Sequence, residues 1–424
     1  MLPRRFWCAV VMLSMSACTG APVPHYRPAA PGHDWPQWQG PARDAVSQET
    51  GLLQSWPSGG PSLVWRVKGL GGGYSGPAVA DGRLFGMSYR GEDEVVWALE
   101  EDTGKELWTS RIAAANRHIS SPGQEGSRCT PTVEGAQTYV LGVSGDLVCL
   151  DTASGKEIWR HNLVADFGGR VPSWGYSESP LVDGDKVLAT PGGDRATLVA
   201  LDKKTGGTIW QAHVPGSNAA TYSSIIAADV DGQRQYVQLL NGGVVGVEAA
   251  NGKFLWRYVK PGHGISCSTP LYHDHLVFAA SGYGVGGGAA RLTSAGNETH
   301  AAEVYFSNHM KNHHGGIVLV DGYLYGSDDP RSLVCLEFQT GKIMWESTKP
   351  GKGSIAYADG RLYYRNEDGP VVLVEANPNS YVERGRFNQP ERSGQKAWPH
   401  PVIANGRLYL RDQDLLLCYD VKSE

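Results

Sequence analysis

An all-β propeller of eight four-stranded antiparallel blades, closed by an N-terminal strand, is what three features of this 424-residue chain predict. The first is composition. Its 55 Gly and 25 Pro make up about a fifth of the chain beside 13 Trp, which fits many short strands and tight turns and not an all-helical fold. With 41% hydrophobic side chains the chain can bury a large core. The second feature is a repeat: Ala98-Leu-Glu-Glu-Asp-Thr-Gly-Lys-Glu-Leu-Trp108, Cys149-Leu-Asp-Thr-Ala-Ser-Gly-Lys-Glu-Ile-Trp159 and Ala200-Leu-Asp-Lys-Lys-Thr-Gly-Gly-Thr-Ile-Trp210 are one motif. The third is a turn before an apolar strand in every repeat, from Asp81-Gly82 to Asn405-Gly406.

Each element follows from these. Further copies of the repeat end at Trp256 and Trp345, degenerate ones near Phe306 and Phe387, and Leu63-Val64-Trp65 supplies an eighth closing strand. Successive spacings of 43, 51, 51, 46, 50, 39 and 42 residues suit a four-stranded blade. Asp-Gly and Asn-Gly tolerate the positive φ of tight hairpins, so each such turn joins the innermost strand to the next one out. In the Thr-Gly-Lys-x-x-Trp string Gly turns the chain, and Trp packs from the outermost strand against the adjoining blade. Because the last unit, Leu415 to Asp420, lacks a closing strand, Leu63 to Val67 is expected to complete it and remove two open sheet edges.

Ahead of the propeller, Arg4 and Arg5, an apolar run from Phe6 to Leu13 and the small residues before Cys18 read as a signal peptide over residues 1–17. Met15-Ser16-Ala17-Cys18 resembles the lipobox of bacterial lipoproteins, which implies a lipid on Cys18, and Thr19 after it resembles sorting to the outer membrane. Residues 18–34 then form a Pro-rich tether, 35–59 an N-terminal extension and 60–424 the propeller. The formal charge of −5 becomes −7 once Arg4 and Arg5 leave, so no basic footprint for nucleic acid or anionic lipid remains. Cys149, Cys335 and Cys418 stand where other repeats carry Ala or Gly and read as buried small residues. Cys129 and Cys267 read as matching positions three blades apart, too far for a disulfide.

The copies ending in Thr-Gly-Lys-x-x-Trp resemble the pyrroloquinoline quinone (PQQ) repeat shared by quinoprotein dehydrogenases and BamB-like lipoproteins of outer-membrane assembly. The resemblance implies an envelope protein anchored by lipid at the outer membrane, with outer-membrane or periplasmic protein partners. Its quinoprotein branch carries a vicinal Cys pair and a calcium-bound quinone. This chain has no adjacent cysteines, so no cofactor and no metal are expected.

Blade phase places the start of each innermost strand at the channel mouth. The candidate ligand-binding residues there are Arg128, Trp174, Tyr176, Glu178, Tyr222, His313, His314, Trp398 and His400, with Arg170 nearby. An acid, bases, cations and stacking surfaces together suit a polar ligand such as a sugar. His314 and His400 read as equivalent, with alternation leaving His313 as the other inward choice. Gly282-Tyr-Gly-Val-Gly-Gly287 fits G-x-G-x-x-G but lacks the following helix, and Ser281 to Glu303 reads as a long loop that lids the mouth or meets a partner. Two function classes follow: a membrane-tethered binding or assembly scaffold, and an enzyme, quinoprotein-like or acting on a sugar, with its site at the mouth.

Overall fold

The computed structural model describes residues 32–119, 125–296 and 298–423, so the leader, Cys18 and the tether up to residue 31 lie outside the described residues. Eight four-stranded antiparallel sheets follow one another around a ring, with one short helix, Leu163–Phe167, among the described residues. Seven are continuous in sequence: blade one spans residues 78–114, two 132–162, three 181–212, four 226–258, five 271–307, six 317–347 and seven 353–387. Blade eight joins Val402–Ala404, Arg407–Asp412 and Leu415–Asp420 to Ser62–Val67 from the other end of the chain. Trp65 stands opposite Cys418, so the ring closes as the sequence predicts.

Register explains the tryptophans. Ala98, Cys149, Ala200, Gly246 and Cys335 on the third strands face Trp108, Trp159, Trp210, Trp256 and Trp345 on the outermost ones. A small residue opposite each indole leaves room for it, and Cys149, Cys335 and Cys418 are fully buried accordingly. Several of these indoles then reach into the next blade: Trp65 Nε1 donates to Glu101 O at 3.0 Å, Trp159 to Lys203 O at 3.0 Å and Trp345 to Asn377 O at 2.7 Å. The degenerate copies are shifted from their sequence reading. In blade five Tyr305, not Phe306, faces Ala289 and its hydroxyl donates to Phe338 O at 2.8 Å. In blade seven the place falls to Gly385, opposite Leu373, and Trp56 of the N-terminal extension packs over it, where a Cβ would meet Trp56 Cβ at 2.6 Å.

The turns repeat with small offsets. Asp81-Gly82, Asp231-Gly232, Asp321-Gly322, Asp359-Gly360 and Asn405-Gly406 all have two positive φ angles, and in blade five the pair is Asp274-His275.

Two segments depart from expectation. The stretch read as a loop from Ser281 to Glu303 is mostly the outer hairpin of blade five, Gly286–Ala295 with Glu298–Ser307. Its glycines mark close backbone approach and not flexibility: a Cβ on Gly286 would lie 2.2 Å from Ser307 O. Only residues 282–285 remain as a loop at the mouth. The extension, in turn, plugs the channel. Trp35 N donates to Val79 O in blade one at 2.9 Å and Val133 N of blade two to Pro36 O at 2.8 Å. Arg43 reaches Ser179 O and Pro180 O beside blade three, at 2.6 and 2.9 Å. Trp38 Nε1 donates to Thr269 Oγ1 beside blade five at 2.8 Å, and Ser47 N to Tyr357 O in blade seven at 2.8 Å. Residues 35–47 therefore bind the inner strands all round the axis.

Candidate functional site

One position in each of seven blades builds the channel mouth. Counting four residues back from the first residue of the innermost strand gives Tyr74, Arg128 and Ser177 in blades one to three, Tyr222 and Cys267 in four and five, His313 in six and Trp398 in eight. All seven line one cavity of about 190 Å³. Trp38 of the plug forms another wall, and Trp174, Tyr283, His314 and His400 complete its polar and aromatic lining.

In blades one to three the next position along turns back into its own blade, because side chains alternate along extended backbone. Met87 N donates to Ser75 Oγ at 3.2 Å, Leu141 N to Cys129 Sγ at 3.4 Å and Thr190 N to Glu178 Oε2 at 2.8 Å. Glu178 therefore does not line the cavity. It is buried, with Thr190 Oγ1 and Gln238 Nε2 as further donors, and burial raises its carboxyl to about 7. Tyr176 is also buried inside the fold, its hydroxyl donating to Pro191 O at 2.8 Å. Arg170 pairs with Asp194 at the surface. The same alternation separates the cysteines: Cys267 matches Arg128 and meets the cavity, whereas Cys129 matches Ser268 and is buried, so the two are offset by one residue. Among the described residues all five cysteines are free.

The aromatic rings lie against one another in pairs around the wall. Tyr74 lies 4.8 Å from Trp398, Trp174 5.7 Å from Tyr222, Tyr283 5.2 Å from His313 and Trp38 4.6 Å from His400. Arg128 stacks between two of them, 4.9 Å over Tyr74 and 5.8 Å over Trp398. Glu367 supports the wall from behind, accepting from Trp398 Nε1 at 3.1 Å.

The three histidines differ. His400 Nε2 lies 2.7 Å from the backbone carbonyl of His314; since a carbonyl only accepts, the proton sits on Nε2 and Nδ1 is a lone pair. Burial lowers His400 to about 4. His313 Nδ1 lies 2.9 Å from Lys352 Nζ, an ammonium that donates, so its ring proton is on Nε2. Burial, then Lys352 and Arg128, lower His313 to about 3. His314 is lowered well below 6.5 by burial and by its cationic and imidazole neighbours, and neither of its ring nitrogens has a hydrogen-bond partner. All three are neutral near pH 7. The expected equivalence of His314 and His400 is corrected by strand position: His400 corresponds to Gly315, and His313 and His314 both face the cavity.

Sequence reasoning thus named Arg128, Trp174, Tyr222, His313, His314, Trp398 and His400, which the fold brings together, and did not name Ser177, Tyr74, Cys267, Tyr283 and Trp38. Tyr74 and Cys267 were detectable from their spacing to the strand start. Tyr283 stood inside the glycine motif, and Trp38 lies in a segment without a repeat to phase it. The donor set does not suit a quinone held through a divalent cation. No carboxylate lines the cavity among the described residues, and no group of three or more His, Cys, Asp and Glu there is placed to hold a metal.

Comparison with known proteins places this geometry among relatives. Residues 43–125, 92–347 and 295–379 match the family model PQQ_2, described as outer membrane protein assembly factor BamB. The outer membrane protein assembly factor BamB of Moranella endobia is 22% identical over 288 residues, covering 64% of this chain and 69% of that protein. Two further BamB relatives are matched over 33% and 54% of their own lengths. Among solved structures, BamB from Moraxella catarrhalis superposes with a TM-score of 0.61 at 17% identity, covering 86% of this chain and 98% of that one. Quinohemoprotein alcohol dehydrogenase from Comamonas testosteroni gives a TM-score of 0.68 at 13% identity, covering 92% and 81%. At such identities the superpositions establish the fold and nothing finer.

Proposed function

Because the chain belongs to the PQQ_2 family, described as outer membrane protein assembly factor BamB, we propose that it is an assembly scaffold of the bacterial envelope, held at the outer membrane by a lipid on Cys18. The observation that carries this reading is the family match over residues 43–379, which includes most of the propeller and part of its plug. A closed ring with a filled channel is a rigid body whose loops and outer strands are free to hold protein partners. Site-specific crosslinking in envelope fractions tests it: outer-membrane assembly proteins should be captured from the propeller surface. Crosslinks confined to unrelated abundant envelope proteins would contradict the reading.

A second reading is favoured by one specific observation, the half-buried His314, whose two buried ring nitrogens make no hydrogen bond in an aromatic cavity, with Glu367 Oε2 3.8 Å from Nδ1. Burying a polar group without a partner is unfavourable, so an occupant that supplies the bond is the natural counterpart. In this reading the mouth binds, or acts on, a small polar ligand such as a sugar. The neutral imidazole of His314 is then available as a base.

A further inference from the structure

We propose that one water molecule binds in the channel beneath the mouth and latches the N-terminal plug to the propeller, hydrogen-bonded to Gln39 of the plug, Thr130 beside blade two and His400 beside blade eight. Such a site belongs to the fold whichever of the two readings above holds.

Four observations carry it. The first is hydrogen bonding. Three buried side-chain atoms, Gln39 Oε1, Thr130 Oγ1 and His400 Nδ1, have no hydrogen-bond partner in the protein, and their residues line one small cavity between the plug and the inner strands. The second is size. The cavity holds about 10 Å³, which is close to the least that takes one water and too little for an organic ligand. The third is polarity. Gln39 Oε1 only accepts, His400 Nδ1 is a lone pair because the ring proton sits on Nε2, and the Thr130 hydroxyl can donate. One water, with two O–H donors and its own lone pairs, satisfies all three. The glycines of this region keep the groups close and the space open. A Cβ on Gly316 would lie 2.6 Å from His400 Cε1 and 3.0 Å from Gln39 Nε2, so the imidazole edge and the amide border the same point. A Cβ on Gly76 would meet Thr130 Oγ1 at 3.4 Å, so the bare backbone there leaves room before the hydroxyl. The fourth is strain. Gln39, Arg43 and Ala45 in the plug adopt positive φ angles of 59°, 57° and 61°, which non-glycine residues hold only where surrounding contacts impose them. Arg43 and Trp38 bond directly beside blades three and five, whereas the Gln39 carboxamide oxygen reaches blades two and eight only through the water. From His400 the same chain continues to the His314 carbonyl of blade six.

A crystal structure of the detergent-solubilised full chain, at a resolution that shows ordered water, tests the site directly. One water should stand about 2.6–3.2 Å from Gln39 Oε1, Thr130 Oγ1 and His400 Nδ1. A site without that density, or with Thr130 turned to bond Gln39 directly, overturns the proposal. A double-mutant cycle tests the latch. Gln39→Met and Thr130→Val keep the shape of each side chain and remove its polar partner to the water. In urea denaturation each variant should lower the folding equilibrium constant about tenfold. Together they should lower it about as much as the larger single loss, because the two side chains act through one shared molecule. Losses that multiply to about a hundredfold show that Gln39 and Thr130 act separately and overturn the latch. If either variant fails to fold, the wild-type crystal structure decides the matter.

Discussion

His400 Nε2 donates to the backbone carbonyl of His314 at 2.7 Å, joining blade eight to blade six across 86 residues of sequence. The bond holds the His314 backbone while the His314 ring itself stays unbonded. One histidine is therefore a support and the other is a free surface of the cavity.

That difference should separate the two by mutation. His400→Ala loses a buried hydrogen bond and its packing on Trp38, and is expected to cost about 1–3 kcal/mol of stability. His314→Ala breaks no hydrogen bond of its ring and should cost less while removing ligand binding at the mouth. Urea denaturation of both variants beside a binding assay checks this. A larger stability loss for His314→Ala than for His400→Ala would contradict the assignment.

Trp56 stands in for a missing repeat residue, packing at 5.1 Å from Phe387 and 5.9 Å from Tyr363 over Gly385. Trp56→Ala should therefore destabilise the fold by about 3–5 kcal/mol, as much as truncating a tryptophan within a repeat such as Trp210. Gly385→Trp should not rescue it, since the new side chain must enter the same space with the backbone unmoved. Melting temperatures of the three variants decide the matter.

Closure by Ser62–Val67 predicts a sharp contrast between two deletions. Removing residues 60–68 should lower the melting temperature strongly, because blade eight then exposes the edge of Leu415–Asp420. Removing residues 19–31, which lie before the plug, should leave it nearly unchanged. Differential scanning calorimetry reads both, and equal melting temperatures would contradict closure by this strand.

The buried carboxyls and imidazoles give pH dependences of opposite sign. Glu178 is raised to about 7 from 4.5 by burial, as is Glu94, so each keeps its proton in the native state over a range where the unfolded chain has lost it. Their stabilising effect is complete below 4.5 and is lost as pH rises to about 7. His313, lowered to about 3, and His400, lowered to about 4, work the other way: their effect is complete above 6.5 and is lost as pH falls toward those values. Between about pH 5 and 6.5, Glu178→Gln should make the slope of stability against pH more positive by about one proton, and His400→Gln more negative by about one. Denaturation series at several pH values measure the slopes. Shifts of the same sign in both variants would show that these groups titrate otherwise.

Much of this was legible in the sequence because repetition phases a chain. Thr-Gly-Lys-x-x-Trp and the Asp-Gly turns set blade number, strand order and closure, and with them the approximate ring of mouth residues. What repetition does not phase was lost. The plug at residues 35–47 occurs once, so Trp38 had no counterpart to align with, and Trp56 fills the blade-seven gap from outside the repeat. Tyr176 and Glu178 failed for another reason: they sit one residue before and one residue after the inward position, where Ser177 lines the cavity. A shift of one residue along extended backbone reverses the facing of a side chain, and spacing estimates made without strand boundaries carry that error. Long glycine-rich segments mislead similarly. Gly286 to Gly288 mark tight strand packing in blade five, not a mobile lid.

The proposed scaffold role at the outer membrane is tested most directly by the abundance of outer-membrane β-barrel proteins in cells lacking this chain, complemented with the wild type or with Cys18→Ser. The account predicts reduced β-barrel levels without the chain, full restoration by the wild type, and weaker restoration by Cys18→Ser, whose product should no longer fractionate with the outer membrane. Unchanged β-barrel levels in the absence of the chain would contradict it.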